Sequence, residues 1–266
     1  MDGPPPLLLG ERRRPVSAVS HTVAYRVRFD ESAPDGNLRT STMLRYAQDA
    51  AWIHSETLGF DREWYGSRGL WWLVRCVDMR VLSIARMGET LAVTTTVVGY
   101  RKVWARRRTD VLGADGQRVA DVYTDWVITD QRGVPTRVPE EFFRLFAGEV
   151  GTFMPARVAL EATPPDSAEL RFRVRSRDLD PMGHVNNAGY LDYLEEAAVA
   201  SVRGLALLQH RPRRYRLEYV APAALGAELS GRFWSRPDGG IGYRLRDDIS
   251  GAELLRATLA AAGLPE

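Results

Sequence analysis

The sequence predicts an α+β protein built twice, each unit an antiparallel sheet wrapped around one central helix. Three observations carry this reading. Residues 25–51 align without a gap on residues 172–198, an offset of 147. Arg26-Val27-Arg28 falls on Arg173-Val174-Arg175, Pro34 on Pro181, Gly36 on Gly183, Leu44 on Leu191, Tyr46 on Tyr193 and Ala50-Ala51 on Ala197-Ala198. Such a match marks an internal duplication whose unit is domain-sized, far too long for a solenoid repeat. Each copy carries apolar residues at helical spacing, and each is followed by four strand-like runs separated by turn residues.

Residues 1–20, rich in proline and arginine without periodicity, read as a flexible leader. The first unit covers 21–138. Thr40 or Ser41 is placed to cap its helix, and Met43, Leu44, Ala47, Ala50, Ala51 and His54 form the apolar stripe, with His54 read as a core histidine. Strand-like runs follow at 70–82, 90–100, 105–112 and 118–129, with Asp115-Gly116 as a hairpin turn. Residues 139–168 read as a linker with a short helix near 139–146 and two adjacent prolines. The second unit, 169–266, opens on a strand in which Phe172 and Val174 alternate with arginines, giving a basic outer face. Asn186 or Asn187 caps its helix, striped by Tyr190, Leu191, Leu194, Ala198 and Val202. Strands are expected at 215–220, 228–235, 241–246 and 254–260, with Asp238-Gly239-Gly240 as a turn.

Composition excludes several classes. The chain has 266 residues, 45% hydrophobic and 26% charged, enough for a sizeable core. No apolar run approaches the roughly 18 residues of a membrane span. Leu7-Leu8-Leu9 precedes the arginines at 12–14, the reverse of a secretory signal. Cys76 is the single cysteine and lies in an apolar strand pattern, so a disulfide framework and a cysteine-rich metal site are excluded. A cytoplasmic location is expected. The net charge of +2 is small for a nucleic-acid binder, and no nucleic-acid module is recognisable. Arginines do cluster at 106–108 and at Arg211, Arg213, Arg214 and Arg216, which leaves an acidic macromolecular partner open.

The densest polar cluster is Asp178-Leu179-Asp180-Pro181-Met182-Gly183-His184-Val185-Asn186-Asn187, just before the second helix. It sets a carboxylate and an imidazole four residues apart on a loop feeding a helix N-terminus. Unpaired N–H groups there suit a developing oxyanion. The same residues also fit an ordinary capping loop. At the same offset Ala33 replaces Asp180 and Asn37 replaces His184, so the second unit is the one expected to be active. Asp35 aligns with Met182.

Asp180-x-x-Gly183-His184-Val185-Asn186-Asn187-Ala188-x-Tyr190, with Tyr193 and Glu195-Glu196 beyond, resembles the active-site segment of hotdog-fold thioesterases. The tandem arrangement resembles the acyl-ACP thioesterases. In the first half so do Leu70-Trp71-Trp72-Leu73-Val74-Arg75, Gly88-Glu89, Tyr123-Thr124-Asp125-Trp126-Val127-Ile128 and Val138-Pro139-Glu140-Glu141. The resemblance spans roughly residues 20–260 and implies a tandem, or double, hotdog. Asp180 and His184 fall on that family's catalytic aspartate and histidine. The plant enzymes place an asparagine where Met182 stands, and an acidic residue and a cysteine where Pro222 and Ala223 stand. The Met-Gly-His-Val-Asn-Asn form is closer to simpler single-hotdog thioesterases.

The resemblance implies hydrolysis of fatty acyl thioesters in fatty-acid biosynthesis. Asp180 and His184 would be catalytic, and the helix N-terminus at Gly183, Val185, Asn186 and Asn187 would hold the oxyanion. Met43, Tyr190 and Leu194 are the expected acyl-chain lining. No cofactor and no metal are expected. The expected carrier is acidic acyl carrier protein, with arginines such as Arg171, Arg173 and Arg175 or Arg211, Arg213 and Arg214 as candidates for its docking face. The alternatives are acyl-CoA or a polyketide-type substrate, and, in another class, a non-catalytic acyl-binding protein. Two chains could still associate as a homodimer.

Overall fold

The computed structural model describes residues 19–146 and 150–263. The first unit runs β1 (Ser20–Arg26), α1 (Thr40–Thr57), α2 (Arg62–Arg68), β2 (Trp71–Val81), β3 (Thr90–Arg101), β4 (Trp104–Leu112) and β5 (Arg118–Thr129). After α3 (Glu140–Leu145) the second runs β6 (Ala168–Arg173), α4 (Asn187–Val199), α5 (Val202–Gln209), β7 (Arg213–Tyr219), β8 (Glu228–Ser235), β9 (Ile241–Asp247) and β10 (Glu253–Ala261). β1 thus begins at the end of the segment read as a leader, whose residues 1–18 lie outside the described residues.

All ten strands join one antiparallel sheet in the order β1-β3-β4-β5-β2-β7-β10-β9-β8-β6. The second half of that order repeats the first in reverse, and β2 pairs with β7 at the junction. This is the arrangement a two-fold pair of identical units would adopt. The duplication persists in detail. Gly36 and Gly183 both take a φ of 78°, the left-handed region that favours glycine. Glu31 accepts from Arg28 N–H at 3.0 Å and Tyr46 O–H at 2.6 Å, while Asp178 accepts from Arg175 N–H at 2.8 Å and Tyr193 O–H at 3.1 Å.

α1 forms because its apolar positions recur every three to four residues, and Leu44 and Ala50 are fully buried on that stripe. It packs on β1 and β3, and α4 packs on β6 and β8. Burying a leucine side chain such as Leu44 contributes about 1.5–3 kcal/mol. The expected caps of α1 are corrected. Thr40 and Ser41 lie inside the first turn, after an uncapped Arg39. The Thr40 hydroxyl instead accepts from Arg213 of the other unit at 2.8 Å, and Ser41 accepts from Arg45 at 2.9 Å. Asn186 does cap α4, its side chain accepting from Ala188 N–H at 2.9 Å. Val202 does not continue the α4 stripe: α4 stops at Val199, Ser201 caps α5, and Val202 is exposed.

The segment between the units crosses the outside of the sheet and is tied to it through carboxylates, two of them buried and one, Glu161, exposed on the segment itself. Asp125 accepts from Ala156 N–H at 2.7 Å, Glu218 from Val158 N–H at 3.0 Å, and Glu161 from the Trp234 indole at 2.6 Å. Among the described residues no helix is long and apolar enough to cross a membrane.

Candidate active site

The loop between β6 and α4 is a tight polar turn fixed by its own backbone. Asp180 N–H donates to the His184 carbonyl at 2.8 Å, and Gly183 N–H donates to the Asp180 carbonyl at 2.9 Å. Asp180 Oδ1 accepts from Met182 N–H at 2.8 Å, and Oδ2 has no hydrogen-bond partner among the described residues. The carboxylate is therefore held at one oxygen and available at the other. His184 is half-buried, and no hydrogen bond joins its ring to Asp180. The two expected residues share one turn through their backbones only.

The expected oxyanion donors need correction. Gly183 N–H is closed within the turn, Val185 N–H donates to the Ala223 carbonyl at 3.0 Å, and Asn186 N–H donates to the Asp178 carbonyl at 2.8 Å. A donor already committed to a carbonyl is not offered to a substrate oxygen. Of the four expected donors, Asn187, the first residue of α4, is the one whose N–H has no partner among the described residues, and the helix dipole points there.

The residues expected to line the acyl chain lie in the interior. Met43, Tyr190 and Leu194 are 3%, 2% and 0% exposed and belong to the hydrophobic core. Tyr190 nonetheless braces the site. Its hydroxyl accepts from Ala223 N–H at 2.8 Å, and its phenol is pushed up to about 12 by burial, with the Asp180 charge adding to the shift. Tyr219, from β7, donates to the Asn187 carbonyl at 3.0 Å. The backbone of Ala223 thus clamps both Val185 and Tyr190. These long-range braces had no local sequence signal. The paired acids Glu31 and Asp178 did have one, since they match at the offset of 147.

The counterpart turn in the first unit lacks the chemistry. Ala33 stands for Asp180, and both oxygens of Asp35 are bonded to Asn37, to its N–H at 3.0 Å and its side-chain amide at 2.7 Å. An open hollow of about 310 Å³ lies there against Phe29, Ala33 and Met87, with no carboxylate in its lining.

The arginine runs do not form the expected patches. Arg213 is 5% exposed and bonded to Tyr215, Thr40 and the Leu208 carbonyl, Arg214 is paired with Asp78, and Arg211 is bonded to backbone carbonyls. Arg106 and Arg108 pair with Asp125 and Asp110. Arg171, Arg173 and Arg175 remain exposed, the first two in loose surface pairs. Cys76 is buried on β2, and burial pushes its thiol up to about 12, which makes it a core residue. Among the described residues no group of three or more His, Cys, Asp or Glu is placed to hold a metal ion.

A duplicated helix-in-sheet unit, with an aspartate and a histidine on the turn of one copy only, defines a tandem α+β architecture. Residues 18–146 match the acyl-ACP thioesterase N-terminal domain, and residues 161–258 match the C-terminal domain of the same family. The chain belongs to the acyl-ACP thioesterase family. It is 25% identical to a chloroplastic acyl-[acyl-carrier-protein] hydrolase of Cuphea viscosissima over 67% of this chain and 47% of the plant protein, so the match spans about half of that relative's length. The fold is shared with a Lactobacillus plantarum structure assigned as an oleoyl thioesterase (TM-score 0.79, 22% identity, 93% of this chain and 97% of that one). It is also shared with the 12:0-ACP thioesterase of Umbellularia californica (TM-score 0.74, 19% identity, 90% and 96%). The double hotdog expected from the sequence is the fold observed.

Proposed function

We propose that the protein hydrolyses fatty acyl thioesters presented by acyl carrier protein, at the Asp180 turn of the second unit. The observation that carries this is a carboxylate with one tethered and one free oxygen, set before the N-terminus of α4. Asp180 Oδ2 takes a proton from water, whose oxygen attacks the thioester carbonyl. Negative charge gathering on the carbonyl oxygen is met by Asn187 N–H and the helix dipole. As the carbonyl re-forms, the C–S bond breaks, and the proton held by Asp180 passes to the departing thiolate. His184 orients water or the thioester from the other end of the turn.

The first unit, without a carboxylate at Ala33, houses the acyl chain. The tandem fold supplies within one chain the interface that two single units would otherwise make, so one chain suffices. The single buried thiol suits a reducing cytoplasm. Acyl-CoA is the second reading, favoured by Met182 in the Met-Gly-His form. The test is release of free thiol from the same acyl chain on both carriers. Higher kcat/KM on acyl carrier protein supports the proposal, higher kcat/KM on CoA moves the carrier assignment, and release from neither overturns hydrolysis.

A further inference from the structure

The interior of the first unit is polar where that of the second is apolar. Tyr25 pairs with Leu91 and its counterpart Phe172 with Leu229, so the strand registers can be matched residue by residue. Thr95 then corresponds to Phe233, and their partners on the next strand, Thr109 and Tyr243, correspond as well. Two residues along, Arg107 corresponds to Ile241, and their partners Thr124 and Leu259 complete the set. Phe233, Tyr243, Ile241 and Leu259 are all buried and fill the second unit. Two threonines thus stand in the first unit where two aromatic rings stand in the second, and Arg107 and the buried His54 share that layer. The Arg107 side chain faces inward from β4 yet keeps some accessible surface.

Arg107 brings a charge into that layer without a counter-ion. Its Nη1 lies 2.9 Å from His54 Nδ1 and 3.5 Å from Thr95 Oγ1, and among the described residues no carboxylate pairs with it. Burial lowers its pKa, opposed only by the phenols of Tyr100 and Tyr65. One rung further on the same face, paired with Ala105, stands Trp126, whose buried indole N–H has no acceptor. Trp126 lies between two separate hydrophobic clusters and touches both. The layer therefore holds a guanidinium with no carboxylate partner and a buried indole N–H with no acceptor, an arrangement that an arriving acceptor would relieve.

The layer is also at the active end of the molecule. Arg45 pairs with Asp192, and Thr40, five residues earlier, bonds Arg213 beside Glu195, so α1 and α4 run antiparallel. His54, about 14 Å beyond Arg45 along α1, therefore lies toward the end where α4 begins.

We propose that Arg107 and Trp126, with Thr95 and Thr124 around them, recognise an oxygen on the distal part of the acyl chain. The substrate class is an oxygenated acyl thioester, with a terminal carboxylate the best complement to an unpaired guanidinium. This rests on the reading of the first unit as the acyl-chain side. The test uses three thioesters of equal length on one carrier, ending in methyl, hydroxyl or carboxylate. The wild type is expected to favour the carboxylate end over the methyl end by about tenfold or more in kcat/KM, with hydroxyl between. Arg107→Met should abolish that preference while leaving the methyl substrate within about twofold. Trp126→Phe, which keeps a ring and removes the donor, should reduce the preference in the same direction, and it serves if Arg107→Met does not fold. Calorimetric binding of the matching free dicarboxylic and monocarboxylic acids reads the same preference without catalysis. A wild-type preference for the methyl end, or an equal loss on all three substrates in both variants, would overturn the proposal. Absence of hydrolysis with the binding preference intact would count against the catalytic reading alone.

Discussion

Arg45 and Asp192 occupy the same position of the two repeats, and their side chains meet in a 3.2 Å ion pair between α1 and α4. In a symmetric pair of identical units this position would face its own copy, like charge against like. Joining the units in one chain allowed the two copies to become opposite. Both side chains are close to half exposed, so the pair is worth at most about 1 kcal/mol. Arg45→Asp sets two carboxylates together and is expected to lower Tm by about 2–4 °C, less at high salt. Exchanging the charges with Arg45→Asp and Asp192→Arg should restore it. Thermal melts of the three proteins check this, and an unchanged Tm in the single variant would contradict it.

The two polar turns should behave differently. Asn37 serves its own turn by bonding Asp35, whereas His184 stands four residues from a free carboxylate oxygen. Asn37→Ala is expected to leave thioester hydrolysis within about threefold of wild type. His184→Ala should lower it by about tenfold to a hundredfold, below the range of a general base. Steady-state kinetics on one acyl thioester compares them, and equal effects would remove the asymmetry between the units.

Carrier docking narrows to the arginines that remain exposed. Arg173→Glu with Arg175→Glu should weaken kcat/KM for acyl carrier protein substrates, most at low salt, since exposed charges are screened over about 8 Å at physiological ionic strength. A short uncharged thioester should be hydrolysed normally by the same variant. A salt series on both substrates gives the answer, and an unchanged acyl carrier protein rate would exclude this face.

Much of this architecture is legible in the sequence because its signals are local or repeated. The α1 stripe, the Asn186 cap and the gapless match around Gly36 and Gly183 depend on neighbours in the chain. α2 and α5 carry little local signal, since each buries so little: Tyr65 in one, Gly204 and Leu207 in the other. The arginine runs misled for a physical reason. A strand sends alternate residues to opposite faces, so Arg106 and Arg108 meet acids outside while Arg107 turns inward to His54. The loss of Val185 as an oxyanion donor has no local signal, because Ala223, which takes up its N–H, lies 38 residues away in sequence.

The most direct test of the central claim is kcat for acyl thioester hydrolysis by Asp180→Asn. An asparagine oxygen still accepts Met182 N–H, so the turn and the Tm should survive while the basic carboxylate is lost. The account predicts a fall in kcat of about two orders of magnitude or more. Unchanged turnover in a folded Asp180→Asn protein would contradict it.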